Sequence, residues 1–166
     1  GVDVSEFLTT TASPTLDLEA WKVEWGVADP VTVAGGLGVP HPEVSPRKVY
    51  LLQRKPGKIG AELGRTTGWV HRAALKNKRV EQLRGVNYER IDDDGLHVTF
   101  GPKHERARVL SVDTVVVCAG QEPVRDLVDA LRATGRPVHL IGGADVAAEL
   151  DAKRAIDQAT RLALTL

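Results

Sequence analysis

Three short, continuous apolar runs constrain the fold most strongly. They occupy residues 49–52, 115–119 and 138–141, and each has the length and character of a strand buried on both faces of a sheet. Helical patterns lie at residues 123–134 and from residue 145 to the C-terminus. Because apolar strands that alternate with helices pack as layers, the sequence predicts an α/β fold with a Rossmann-like parallel sheet.

Residues 88–111 predict a β-meander inserted into this pattern. Asp92, Asp93, Asp94 and Gly95 form a turn signal, and apolar side chains alternate after it, as in a half-buried strand. Such a meander resembles the one that joins the nicotinamide-binding and flavin-binding parts of flavoproteins with two dinucleotide-binding domains.

The N-terminal third predicts short helices at residues 1–8 and 15–26, followed by a Gly- and Pro-rich excursion at 28–46. A further helix is predicted from Thr66 or Thr67 to Asn77, and a short strand at 80–86. The chain contains no methionine, and no capping residue precedes its first helix. Since the first N–H groups of a helix need partners, we expect this chain to be part of a longer polypeptide.

Composition excludes several classes of protein. The 166 residues carry 22 basic and 22 acidic side chains, and zero net charge argues against a phosphate backbone or an acidic membrane surface as the main partner. No apolar run approaches the roughly 20 residues of a membrane span. The single cysteine, Cys118, excludes a disulfide framework or a Cys-rich metal site within this chain and is expected in the core. The five histidines have no metal-ligand spacing, so no metal site is predicted.

Two basic residues, Arg54 and Lys55, follow the first strand, and Lys58 and Arg65 come soon after. At this place in a dinucleotide-binding fold, an acidic residue binds the ribose hydroxyls of NAD, whereas a basic residue pairs with the 2′-phosphate of NADP. Arginine binds phosphate through two parallel hydrogen bonds. The pattern indicates a 2′-phosphate site, and a solvated basic loop is the alternative.

Trp69 and Asp145 are two further candidates. Trp69 comes two residues after Thr67, where its ring can stack on a base or on nicotinamide, or belong to the core. Asp145 follows Gly142 and Gly143 after an apolar run. Its carboxylate can accept from the ribityl chain of a flavin beside a helix N-terminus, or simply cap that helix.

Three stretches together resemble a known family. They are LQRK at 52–55 with LGRTTGWVHR at 63–72, VVCAGQEP at 116–123, and HLIGGADVAAELDAKRAI at 139–156. In order and spacing they resemble the C-terminal part of bacterial NADPH-dependent 2,4-dienoyl-CoA reductases. These enzymes are grouped with trimethylamine dehydrogenase among flavoproteins that carry an Old-Yellow-Enzyme-like barrel. The resemblance extends over essentially the whole chain.

The resemblance implies a cytoplasmic oxidoreductase in which NADPH passes hydride to FAD for the reduction of 2,4-dienoyl-CoA in unsaturated fatty acid β-oxidation. FMN, an iron–sulfur cluster and the substrate-binding barrel would belong to the rest of the parent polypeptide. Residues 1–113 would form a truncated NADPH-binding domain that includes the meander, and residues 114–166 a piece of the FAD-binding domain. The cofactor-binding positions implied in this chain, none of them catalytic, are Arg54, Lys55, Trp69, Asp145, Ala152, Lys153 and Arg154.

Two alternatives remain open at the level of sequence. One is an amine dehydrogenase of the trimethylamine dehydrogenase type, in which the nucleotide site can be vestigial; Arg54 and Lys55 favour a functional NADPH site instead. The other is a nucleotide-binding domain without enzymatic activity. As a fragment of such a reductase, the chain alone is expected to show no turnover, because hydride chemistry belongs to the cofactors.

Overall fold

A computed structural model describes residues 1–148 and 152–166 of the chain. The chain divides into two compact units, Gly1–Val115 (unit 1) and Val116–Leu166 (unit 2). Which cofactor each unit binds stays a prediction. Within the described residues, no helix combines the length and the apolar character required to cross a membrane.

Two short helices open unit 1, as the sequence predicted. They are α1 (Val2–Leu8) and α2 (Leu18–Trp25). The side chain of Asp17 caps α2 by accepting a hydrogen bond from the backbone N–H of Ala20 at 3.0 Å. Gly26 ends the helix at φ 67°, where a Cβ would lie 2.6 Å from the nitrogen of Pro40. The excursion at residues 28–46 is irregular apart from one 3₁₀ turn, which confirms the prediction.

A βαβ segment follows in unit 1. Strand β1 (Tyr50–Gln53) leads through a loop into α3 (Gly68–Asn77), and the chain returns along β2 (Glu81–Arg84). The two strands are parallel, with Tyr50 opposite Glu81. Leu75 of α3 is 1% exposed. This segment confirms the predicted strand, helix and parallel pairing, but the four residues of β1 are only half-buried, so the predicted burial on both faces is wrong.

The predicted meander is also confirmed. Its antiparallel strands are β3 (Val86–Asp92), β4 (Gly95–Phe100) and β5 (Glu105–Leu110). Alternating residues face one core, whose buried members are Val86, Leu96, Val98 and Leu110. The core of unit 1 therefore lies against the meander, with Tyr50 and Leu52 of β1 packed on it.

Unit 2 differs from the sequence prediction. Residues 115–119 and 138–141 form no strand. Val117 is 80% exposed, and Ile141 has extended backbone angles but no ladder partner among the described residues. A strand buried on both faces needs hydrogen-bonded neighbours in a sheet, and the described part of unit 2 provides none. The prediction of a buried Cys118 is likewise wrong, because this side chain is exposed.

The helices of unit 2 are shorter than predicted. Helix α4 spans Val128–Arg132, within the predicted range 123–134, and α5 spans Ala152–Ala163. No helix begins at residue 145, contrary to the prediction. A 3₁₀ turn spans Gly142–Ala144, and Asp145 lies at its end. Residues 149–151, the remaining part of that prediction, lie outside the described residues. The parallel sheet in the described residues is thus the pair β1–β2, and a full Rossmann-like sheet stays a prediction.

Candidate functional site

Arg54, Lys55 and Lys58 belong to a basic loop, defined here as residues 54–58. This loop leaves the carboxyl end of β1, the edge at which open α/β sheets bind ligands. All three cationic side chains are exposed. The Nζ atom of Lys55 lies 3.1 Å from Oε1 of Glu62, but both side chains are more than three-quarters exposed. Because an exposed ion pair of this kind is weak, Lys55 remains available to a stronger anion.

The backbone of the basic loop is held by one side chain that sequence reasoning missed. The amide nitrogen of Gln53 donates to the carbonyl oxygens of Lys55 at 3.0 Å and of Gly57 at 3.1 Å. The backbone N–H of Gly85 also donates to the Lys55 carbonyl at 3.2 Å. The loop is therefore ordered at its backbone, while its charges extend into solvent. The available signal was an amide side chain directly before a turn.

Trp69 is the second residue of α3 and is 61% exposed. The alternative of a core tryptophan is therefore wrong, and the exposed ring is available for stacking. The preceding Gly68 is buried, and a Cβ there would lie 2.8 Å from the Cβ of Leu63. Glycine thus allows the loop to pack closely against the start of α3. The assignment of Trp69 to a nucleotide stays a prediction.

Unit 2 contains a separate open cavity of about 390 Å³. Its wall combines apolar residues at 138, 140, 141 and 162 with four polar ones, which are Arg132, His139, Asp145 and Gln158. Small-molecule sites commonly have this composition, in which a few polar groups orient a ligand against apolar walls. Of the residues that the sequence predicted to bind a cofactor, Asp145 is the one that lines this cavity.

Asp145 is held by a second residue that the sequence reasoning missed. Its Oδ2 atom accepts a hydrogen bond from Nε2 of Gln158 at 2.8 Å. In turn, Oε1 of Gln158 accepts from the backbone N–H of Gly142 at 2.7 Å. Asp145 ends a 3₁₀ turn and residues 146–148 are not helical, so Asp145 neither caps a long helix from residue 145 nor lies beside the N-terminus of one. Gln158 lies four positions before Leu162, another cavity residue, and this helical spacing was the available signal.

Gly142 has a role in packing. Its φ is +58°, and a Cβ there would lie 3.2 Å from the Cβ of Ala155. Glycine after an apolar run can let the backbone approach a ligand closely. The close approach that the structure contains is instead to α5 of the same unit.

Ala152, Lys153 and Arg154 occupy the first turn of α5. Ala152 and Lys153 are exposed, and Arg154 is half-buried. The Arg154 guanidinium donates to the carbonyl oxygens of Val146 at 2.6 Å and Ala148 at 2.9 Å. These three residues do not line the cavity that contains Asp145. Their contact with a flavin ring stays a prediction, and Arg154 already holds the chain that leads to α5.

The β3–β4 hairpin brings together a predicted turn and a histidine for which the sequence shows no metal-ligand spacing. Ligand-type atoms of Asp92, Asp94 and His97 all lie within 4.8 Å of one another. Nε of Arg90 lies 2.7 Å from one Asp92 oxygen, and Nε2 of His97 lies 2.7 Å from the other. These hydrogen bonds, that of Arg90 first, lower the pKa of Asp92 to about 2. Because Arg90 already provides the positive charge here, the group is a hairpin ion-pair network.

No protein-family model matches the chain. A solved structure described as a complex of 2-naphthoyl-CoA reductase with 2-naphthoyl-CoA is similar, with a TM-score of 0.58 and 20% sequence identity. The similarity covers 72% of this chain but 18% of that one. It shows that this chain shares the fold of one part of that protein, and that it spans less than a fifth of the neighbour's length.

Proposed function

We propose that this chain is the NADPH- and FAD-binding part of a flavin-dependent oxidoreductase that reduces a CoA ester. The basic loop at the carboxyl end of β1 carries the proposal, because it places exposed cations where a dinucleotide-binding segment meets the adenosine ribose. The name of the structural neighbour, a CoA-ester reductase, favours the reaction class.

The nucleotide selected is NADP, since two cations stand where an NAD-binding protein carries a carboxylate. Arg54 would bind the 2′-phosphate through its forked N–H donors. Lys55 would exchange its exposed partner, Glu62, for the more highly charged phosphate. Gln53 supports this by ordering the backbone that carries both side chains. Trp69 would stack on the nucleotide from the start of α3.

The flavin-binding role falls to unit 2. The carboxylate of Asp145 can accept from a hydroxyl of the ribityl chain, and the cavity of about 390 Å³ around it suits a part of such a cofactor. Ala152 and Lys153 are exposed and would contact the ring. Bound NADPH would supply a hydride that bound FAD accepts, whereas the residues of this chain bind and orient both cofactors.

The particular substrate that we propose is a 2,4-dienoyl-CoA, on the strength of the sequence resemblance. The substrate-binding barrel, the FMN and the iron–sulfur cluster would lie in other parts of the parent protein. The basic loop also favours this reductase over an amine dehydrogenase with a vestigial nucleotide site, because such a site has no need for paired cations with an ordered backbone.

Calorimetric titration of the 166-residue chain with NADP⁺ and with NAD⁺ tests the proposal. We expect NADP⁺ to bind at least about tenfold more tightly, and R54A to lose most of this preference, because a hydrogen bond to a charged group contributes about 1.5–3 kcal/mol. K76A is the matched control, since Lys76 is an exposed cation on α3 outside the basic loop. Equal binding of the two nucleotides, or an unchanged preference in R54A, would overturn the NADPH assignment and favour a non-enzymatic domain.

A further inference from the structure

We infer that Gln158 is the positioning residue of the flavin site: its amide holds one oxygen of Asp145 and thereby presents the other oxygen to a ligand hydroxyl. The inference rests on the proposed function, because it assumes that Asp145 contacts a polyhydroxylated ligand such as the ribityl chain of FAD.

The hydrogen bonds define the orientation of the Gln158 amide. The backbone N–H of Gly142 can only donate, so the atom that faces it at 2.7 Å is the carbonyl oxygen. The amide nitrogen then faces the Asp145 carboxylate, which can only accept, at 2.8 Å. Both bonds are partly buried. One side chain thus satisfies a backbone donor and a carboxylate at once, and a rotated amide would satisfy neither.

The backbone around Asp145 has other supports. Arg125 donates to the carbonyl oxygens of Ala144, at 2.8 Å, and of Asp145 itself. Arg154 donates to the carbonyl oxygens that follow, on Val146 and Ala148. These two guanidinium groups thus hold the main chain between residues 144 and 148. The specific contribution of Gln158 is therefore the placement of the Asp145 carboxylate.

The bonding of Asp145 leaves it able to bind a ligand. Gln158 takes up Oδ2, and Oδ1 accepts no hydrogen bond from any of the described residues. The carboxylate lines the same cavity as Arg132 and His139. An acceptor of fixed orientation in a cavity with polar and apolar walls is suited to a hydroxyl-bearing chain, since each hydroxyl needs one acceptor.

An exchange of the two functional groups separates positioning from simple structural support. Q158E places two carboxylates against each other, so we expect a lower unfolding temperature and an FAD affinity about tenfold weaker. In D145N/Q158E, the new carboxylate at position 158 can accept from both the Gly142 N–H and the new amide at position 145. We expect this double variant to regain most of the unfolding temperature and part of the lost FAD affinity, because the new amide at position 145 donates to position 158 and still presents an acceptor oxygen to a ligand hydroxyl.

Quenching of FAD fluorescence and the visible flavin spectrum of the full chain provide the binding readouts. Q121E is the matched control, because Gln121 is exposed in unit 2 and undergoes the same change in charge. If Q158E binds FAD like the wild type, or if the double variant regains stability but none of the lost affinity, the positioning role is wrong while the proposed function stands. If the wild-type chain itself binds no FAD, the flavin-binding function and this inference fall together.

Discussion

The side-chain amide of Gln53 donates a hydrogen bond to the carbonyl oxygen of Lys55 at 3.0 Å, although the two residues are only two positions apart. The same nitrogen reaches the carbonyl of Gly57 at 3.1 Å, so the turn after β1 closes around a single side chain. The basic residues on that turn are consequently attached to a backbone with a defined direction. A loop of this kind loses less conformational entropy when it binds a ligand than a free loop does.

Q53A is expected to weaken NADP⁺ binding although Arg54 and Lys55 remain in place. Its two lost hydrogen bonds are exposed, so the expected effect is modest, about threefold to tenfold in the dissociation constant for NADP⁺. Calorimetry on the same chain measures it, with Q82A on β2 as the control, because Gln82 is exposed and lies outside the loop. An affinity that Q53A leaves unchanged would show that loop order does not contribute to nucleotide binding.

The acid stability of the meander should depend on Asp92. The folded pKa of this carboxyl is lowered from 3.8 to about 2, chiefly by the Arg90 hydrogen bond and then by His97. A lowered folded pKa stabilises the protein above the unfolded value, and this stabilisation is lost as the pH falls from about 4 towards 2. We expect D92N to be less stable than the wild type at pH 7 and the difference to disappear in that range. Thermal unfolding followed by circular dichroism measures it, with D93N in the same turn as the control.

Lys78 should contribute strongly to the stability of unit 1. Its side chain is 7% exposed, and its Nζ lies 3.1 Å from Glu24 and 3.4 Å from Glu43. Removing the cation takes away the charge that Glu24 and Glu43 share, although Thr11 still donates to Glu43 and the two carboxylates are 18% and 36% exposed. Loss of one member of a fully buried ion pair costs about 3–5 kcal/mol, so for this partly exposed group we expect K78A to lower the free energy of unfolding in urea by about 1–3 kcal/mol. K76A changes an exposed lysine in the last turn of α3, two positions before Lys78, and should alter this free energy little; equal effects of the two variants would contradict the role of Lys78.

Local sequence signals predicted most of unit 1. A turn signal between β3 and β4 and apolar alternation along β4 each depend on neighbouring residues, so the pattern alone indicates the element. The location of Arg54 and Lys55 was predictable for the same reason, since the end of an apolar strand can be read from the chain. The nucleotide-binding role of these residues is a further step that stays a prediction.

Residues 115–119 and 138–141 show where that reasoning fails. An apolar run indicates that a segment can form a strand. The hydrogen bonds of a sheet, however, depend on a second strand elsewhere in the chain, which the composition of the run does not specify. Gln158 was missed for a related reason, because it acts on Gly142, 16 positions away, and the helical spacing that places it near Leu162 does not indicate that partner. Gln53 acts on Lys55 and Gly57 within its own turn, so its role was open to local reasoning and was overlooked. A partner distant in sequence was thus the least predictable feature of the candidate sites.

Substitution of Gly142 by alanine should destabilise unit 2 more than the same change at Gly135. Both glycines have positive φ, 58° and 73°, so alanine is strained at either position. A new Cβ at Gly135 would meet open space, whereas one at Gly142 would lie 3.2 Å from the Cβ of Ala155 and press on α5. We therefore expect G135A to cost about 1 kcal/mol and G142A about 1–3 kcal/mol more. Urea unfolding of both variants measures the difference, and a G142A protein no less stable than G135A would show that α5 can move away from the turn without cost.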